Sequence, residues 1–121
     1  MDVAKAQRKA IALVSSLTAV DRRQLKASTD LFRDLGVDGD DAVEVIDTIA
    51  ERWDVDFSTM RWNQHFGPEQ AWSPLRWFRL EERHWRQLQR VPVTIRDLAE
   101  AIASRRWSMN YPPVHYAFNG D

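Results

Sequence analysis

The feature that most constrains this chain is a set of apolar residues that recur at helical spacing between positions 42 and 53. Counted from the first of them, their offsets are 0, 3, 4, 7, 8 and 11, a single stripe on an α-helix: Ala42, Val45, Ile46, Ile49, Ala50 and Trp53. Asp38 precedes the stripe as a candidate N-cap, and Asp40 and Asp41 fall in the first turn, where the helix dipole favours negative charge. We therefore predict a helix that begins beside Asp38 and buries this stripe.

Two other segments are also predicted to be helices. Apolar residues between positions 3 and 17 share one face, with basic residues on the other. A signal peptide is the alternative for this segment, because basic residues precede an apolar run, but the two distinct faces favour an amphipathic helix of the mature protein. Near the C-terminus, Thr94 and Asp97 have the spacing of a capping box, which predicts a final helix over residues 95–105.

The chain is expected to form one mainly α-helical domain. Its 121 residues are 44% apolar, which is enough for a single small core. We predict that this domain spans residues 1–109, with an insertion at about 59–90 and an extended tail at 110–121. Residues 61–90 contain four tryptophans and six arginines, and their pattern fits either a helix or strands. Core packing is the default explanation for these tryptophans, with a protein-binding patch or a nucleic-acid or lipid surface as alternatives.

The composition argues against several functional classes. The absence of cysteine excludes a disulfide scaffold, a thiolate metal site and a cysteine nucleophile. The three histidines share no helical ligand spacing, so no metal site is expected and each is taken as a surface or half-buried residue: His65, His84 and His115. There is also no nucleophile–base pairing and no glycine-rich phosphate loop. We therefore do not expect an enzyme.

The charge is unevenly distributed along the chain. Residues 30–56 contain ten acidic residues and two arginines, for a charge of −8, whereas residues 1–29 and 57–109 carry +4 each. An acidic middle argues against nucleic acid and suggests a basic protein partner. The alternative is a solvated face that pairs with the chain's own arginines. No run of about 18 apolar residues is present, so no membrane span is expected and a cytoplasmic location is predicted.

Two stretches give the chain a resemblance to a known family. "STDLFRDLGVDGDDAVEVIDTIAERWDVDFS" and "VPVTIRDLAEAI" resemble acyl carrier proteins, small helical bundles that hold acyl chains on a phosphopantetheine arm. More narrowly, "LGVDGDDA" and the Phe66–Glu69 stretch are similar to an uncharacterised family of short bacterial acyl-carrier-like proteins. The resemblance covers residues 1–58 and 91–107. It implies an acyl-carrier-like bundle of three or four helices.

The resemblance also carries an expectation about the site. Where carrier proteins have Asp-Ser-Leu, this chain has Asp38-Gly39-Asp40, and Gly39 has no hydroxyl to accept phosphopantetheine. The resemblance therefore implies a protein with no cofactor, in which the acidic second helix binds a basic protein partner. The residues expected to contact that partner are Asp38, Asp40, Asp41, Glu44, Asp47 and Glu51.

Two other functions stay open from the sequence. One is an atypical acyl carrier or lipid-pathway protein, whose core could open to bind a free acyl chain. The other is a small inhibitor or immunity-type protein, whose tryptophan- and arginine-rich insertion would be the binding surface, since both residue types are enriched at interface hot spots.

Overall fold

The computed structural model describes residues 1–66 and 91–111, so the predictions made for 67–90 and 112–121 lie outside it. The described residues form four α-helices and one 3₁₀ helix: α1 Val3–Thr18, the 3₁₀ helix Arg22–Gln24, α2 Gly39–Trp53, α3 Trp62–Phe66 and α4 Ile95–Ser104. In this part of the chain there is no β-strand, only two isolated bridges. The predicted mainly α class is confirmed, whereas an acyl-carrier-like bundle in particular is not.

Each of the three long helices begins where its sequence provides a cap. The Asp2 carboxylate accepts a hydrogen bond from the backbone N–H of Lys5 at 2.7 Å at the start of α1. At the start of α4, the Thr94 hydroxyl accepts from the backbone N–H of Asp97 at 3.1 Å, and the Asp97 carboxylate accepts from that of Thr94 at 3.0 Å. The predicted capping box is therefore present. These side chains satisfy N–H groups that have no partner within the helix.

The same helices end on residues in the left-handed region of backbone conformation. The φ angles are 62° at Ala19, 56° at Asp54 and 67° at Arg105. Glycine is the usual residue at such a position, because a β-carbon there is strained. Helices α1, α2 and α4 therefore end without the glycine that usually occupies this position. Glycine at any of the three positions would relieve the backbone strain.

The core forms mainly between α1 and α4, which make the most extensive helix–helix contact in the described chain. Small side chains lie fully buried on both helices, Ala6 and Ala10 on α1 and Ala99 on α4. α2 contributes the predicted stripe, of which four residues are buried: Ala42, Val45, Ile46 and Ile49. The inward face of α2 was therefore predicted correctly, and its outward face is left for solvent or a partner.

Two backbone connections join distant segments to α4. On the N-terminal side, Leu31 N–H donates to the Val93 carbonyl at 2.9 Å and Ile95 N–H donates to the Thr29 carbonyl at 3.0 Å. On the C-terminal side, Trp107 N–H donates to the Asp56 carbonyl at 2.8 Å. Trp107 is only 3% exposed, so this second connection places an indole ring against the core just beyond the end of α4.

The side chain of Asp56 is held locally at the same connection. Its carboxylate accepts from the backbone N–H of Ser58 at 2.8 Å. This bond and the Ser58 hydroxyl lower the pKa of the Asp56 carboxyl, with a smaller contribution from the charge of Arg106. Asp56 therefore stabilises the turn after α2.

Candidate functional site

The outward face of α2 is a continuous acidic surface. Five of its side chains share one side of the helix, at offsets 0, 3, 4, 7 and 11 from the first, and we call them the acidic stripe: Asp40, Val43, Glu44, Asp47 and Glu51. All five are exposed. Val43 is 39% exposed and lies at the edge of the stripe, three residues after Asp40 and four before Asp47. An apolar side chain is thus presented among four carboxylates.

The structure separates the six residues predicted to contact a partner into two groups. Four of them belong to the acidic stripe. Asp41 is also exposed, but it lies about 100° around the helix from Asp40. Asp38 is half-buried, and its carboxylate accepts from Gly39 N–H at 2.8 Å. Asp38 is therefore positioned as the cap of α2, outside the stripe.

The carboxylates of the stripe have no ion-pair partner within residues 1–66 and 91–111. Three arginines of the described chain have contacts elsewhere. Arg52, in the last turn of α2, lies over the Trp53 ring, with its guanidinium carbon 5.5 Å from the ring centroid. Arg23 pairs with Asp21 at 2.9 Å, and Arg96 pairs with Glu100 at 3.0 Å. Pairing of the stripe with the chain's own arginines, the alternative left open by the sequence, does not occur in this part of the chain.

The acidic stripe also destabilises the helix that carries it. Asp40 and Glu44, and Asp47 and Glu51, are like-charged pairs four residues apart, each unfavourable by about 0.2–0.5 kcal/mol. Glu51 lies in the last turn, where the negative end of the helix dipole disfavours an acid. Asp40 lies in the first turn, where the dipole favours an acid, but the fold gives no such reason for Glu44, Asp47 and Glu51.

Gly39, which occupies the position that the resemblance to carrier proteins gave to a serine, has a left-handed backbone. Its φ is +55°. A β-carbon at this position would meet no atom within 4 Å, so space does not require glycine there. The requirement comes from the backbone, because left-handed φ is strained for residues with a β-carbon. Position 39 therefore favours glycine because of its backbone conformation.

We expect Gly39→Ser and Gly39→Ala to lower the free energy of unfolding by about 1 kcal/mol each, because both residues must adopt the left-handed conformation. Gly39→Asn is the matched variant, since asparagine tolerates this conformation better than other residues with a β-carbon. Urea denaturation followed by circular dichroism measures all three. Equal losses for serine and asparagine would contradict the conformational explanation.

A second candidate site is a buried cluster around His65. We call this the His65 cluster, and it consists of five residues from three chain segments: Arg61, His65, Val91, Trp107 and Tyr111. His65 is 0% exposed, so the expectation of a surface or half-buried histidine is wrong for this residue. Its Nδ1 lies 2.8 Å from the Val91 carbonyl oxygen, and its Nε2 lies 2.7 Å from the Tyr111 hydroxyl.

Aromatic rings enclose the imidazole. The His65 ring meets the Trp107 ring edge to face at 5.6 Å between centroids and the Tyr111 ring at 5.2 Å. The Tyr111 hydroxyl also accepts from the Trp107 indole N–H at 2.8 Å and from the backbone N–H of Arg61 at 2.9 Å. One hydroxyl therefore connects α3 with the segment that follows α4.

The sequence contains one signal for this cluster, the spacing of aromatic residues within α3. Trp62, His65 and Phe66 lie at positions i, i+3 and i+4, which places the histidine on the aromatic face of α3. The Trp62 and Phe66 rings are 4.9 Å apart between centroids. That spacing indicates a histidine on a packed face, but it does not identify its partners.

The described part of the chain also has a surface groove. A surface groove of about 590 Å³ lies between the start of α1, the outer face of α4 and residues 106–110, with Val3, Ala101 and Met109 among its apolar walls. Residues 1–66 and 91–111 contain no group of three His, Cys, Asp or Glu side chains placed to hold a metal ion. No helix among the described residues has the length and apolar content needed to cross a membrane.

These features define a mainly α-helical domain that presents an acidic helix face and encloses a buried histidine. The chain belongs to the DUF1493 family, described as proteins of unknown function, whose family model matches residues 5–110. No curated protein and no solved structure is significantly similar to the chain. The expectation of an uncharacterised family is therefore confirmed, whereas the identification as acyl-carrier-like is wrong, because the match is to DUF1493 and not to an acyl carrier family.

This correction has a physical reason. The features that carried the resemblance were a glycine turn, an acidic first helical turn and an amphipathic helix. Each follows from rules that apply to any helix. Acids near a helix N-terminus interact favourably with the helix dipole, and an apolar stripe packs into a core. The same features can therefore arise in helical proteins that share neither a family nor a cofactor.

Proposed function

We propose that this protein is a non-catalytic binding module whose acidic stripe on α2 binds a basic surface of a protein partner. The observation that carries the proposal is that four exposed carboxylates and Val43 share one helix face without an ion-pair partner in the described chain. The fold buries the opposite face, and the described chain provides no ion pair for Glu44, Asp47 or Glu51. A basic partner would supply the missing counter-charges.

The chemistry of the stripe determines what such a partner must offer. Four carboxylates along α2 fit lysine or arginine side chains at a similar spacing, and complementary charge accelerates association. Val43 would add an apolar contact, which a purely electrostatic encounter lacks. Because the carboxylates are exposed, their contribution is screened by salt, so binding should weaken strongly between low and physiological ionic strength.

The first experiment places a photocrosslinking amino acid at position 43 of the full chain in cells. Ser16, exposed on α1 and away from the stripe, is the control position. We expect one or a few protein partners to crosslink at position 43 and not at position 16. The crosslinked partner is then produced separately, so that its affinity can be measured by titration calorimetry.

The triple variant Glu44→Gln, Asp47→Asn, Glu51→Gln is expected to weaken that affinity about tenfold or more, since each lost charge pair at a surface contributes up to about 1 kcal/mol. The same variant should be more stable than the wild type by about 1 kcal/mol, because it removes like-charge repulsion and an unfavourable dipole interaction. Calorimetry and urea denaturation measure the two effects. Loss of binding together with a gain of stability would separate a binding role from simple unfolding.

A matched control adds three positive charges elsewhere on the molecule. Ala4→Lys, Ser16→Lys, Gln24→Lys gives the same change in net charge at three exposed positions outside α2. It should retain most of the affinity. The proposal would be wrong if this control and the α2 variant lost the same affinity, or if position 43 crosslinked no protein beyond those seen at position 16.

A further inference from the structure

The outward face of α2 repeats every seven residues. Three pairs of side chains on this face or at its edge are each seven positions apart: Asp40 and Asp47, Val43 and Ala50, and Glu44 and Glu51. Val43 is exposed and Ala50 is half-buried, so solvent reaches both members of the apolar pair. The outward face of α2 therefore has a short apolar row with two acidic rows beside it.

A seven-residue repeat is typical of a helix that packs lengthwise on another helix. Seven residues are close to two helical turns, so rows with this spacing follow the axis of a neighbouring helix. In such pairs of helices, apolar residues form the line of contact, and the charged residues beside it determine which partner binds. The outward face of α2 has both components, and its four carboxylates are exposed.

The backbone of α2 also restricts the kind of partner. Gly39–Trp53 is a continuous helix, so the N–H and C=O groups between its first and last turns bond within the helix. An extended segment of a partner would therefore find no backbone hydrogen-bond partners along the middle of this face. An α-helix satisfies its own backbone groups and presents only side chains, which is what this face can bind.

Deepening the proposed function, on which this inference rests, we propose that the partner binds the acidic stripe through a basic α-helix that lies along α2. Lysine or arginine side chains of that helix, three or four residues apart, pair with the four carboxylates, and its apolar side chains pack on Val43 and Ala50. From Asp40 to Glu51 the stripe is about 16.5 Å long, so the partner helix contacts it over about three turns.

The experiment maps where on the partner the stripe crosslinks. The photocrosslinking amino acid is placed at position 40, 43 or 51 of the full chain, in three separate variants that each keep at least three of the four carboxylates. Mass spectrometry then identifies the partner residue reached from each position. In a helix, the residues reached from positions 40 and 51 should lie about 11 apart in the partner sequence, because both helices rise equally per residue. An extended segment covers the same distance in about five residues.

A second measurement tests whether the contact continues along the apolar row beyond Val43. Ala50→Gln should weaken the affinity of the captured partner about fivefold or more, since it places a polar amide in the line of contact. Thr48→Gln is the matched control, because Thr48 is also half-buried but lies on the other side of the stripe. Its affinity should stay within about twofold of the wild type. Titration calorimetry measures both variants, after circular dichroism has shown that they fold.

Three results would each overturn the helical partner and leave the proposed function standing. The first is a separation of about five residues between the partner residues reached from positions 40 and 51. The second is a set of crosslinks distributed over separate segments of the partner, and the third is an unchanged affinity of Ala50→Gln. If position 43 captures no protein beyond those seen at position 16, the proposed function itself is wrong, and the helical partner is rejected with it.

Discussion

Replacing Leu98 by alanine is expected to lower the free energy of unfolding by about 2–5 kcal/mol, the range for removing a fully buried leucine side chain. Leu98 is 0% exposed and lies on α4, which makes the most extensive contact with α1. The substitution removes apolar contacts and leaves a cavity that the packed helices can only partly close. Because small domains are stable by about 5–15 kcal/mol, this single change removes a large fraction of the total.

Urea denaturation followed by far-ultraviolet circular dichroism measures the effect of Leu98→Ala. Val43→Ala is the matched control, since it also shortens an aliphatic side chain on a helix but at an exposed position. Its effect should stay within about 0.5 kcal/mol. Similar losses for the two variants would mean that the α1–α4 contact does not form the centre of the core.

Tyr111→Phe is expected to lower the free energy of unfolding by about 2–3 kcal/mol, since a buried polar group without a partner is unfavourable by about 1–3 kcal/mol. The substitution removes one oxygen and with it a hydrogen-bond partner of three groups: Nε2 of His65, the indole N–H of Trp107 and the backbone N–H of Arg61. Tyr111 itself is half-buried, so water can reach part of the vacated space. The loss is therefore smaller than three full penalties.

The second of the two tyrosines provides the control for Tyr111→Phe. Tyr116→Phe makes the same chemical change at a position outside the described residues and measures the effect of losing a tyrosine hydroxyl elsewhere in the chain. Both variants and the wild type are denatured at the same pH, 7.5. Equal stability of the two variants would show that the Tyr111 hydroxyl does not join α3 to the C-terminal segment.

The three long helices were predictable because their signals are local. The stripe from Ala42 to Ile49 lies within one helix, and the capping box joins Thr94 to a residue only three positions away. Such patterns are set by helical periodicity and by the unpaired N–H groups of a first turn.

The His65 cluster was not predictable in the same way. Its hydrogen-bond partners lie 26 and 46 residues from His65 along the chain, so their approach depends on the complete packing of the domain. The acidic stripe was predictable in part. The sequence contains its charges, but only the structure shows that Asp38 acts as a cap and that Asp41 lies to one side of the stripe.

The His65 cluster also has a topological consequence for segment 67–90. The backbone N–H of Val91 donates to the Gln64 carbonyl, and His65 bonds to the Val91 carbonyl, so the two ends of this segment meet at one point. The entropy of closing a loop between adjacent ends grows only slowly with its length. The helical body therefore places little constraint on how many residues connect those ends, and this point in the fold can accept insertions or deletions while the helices keep their register.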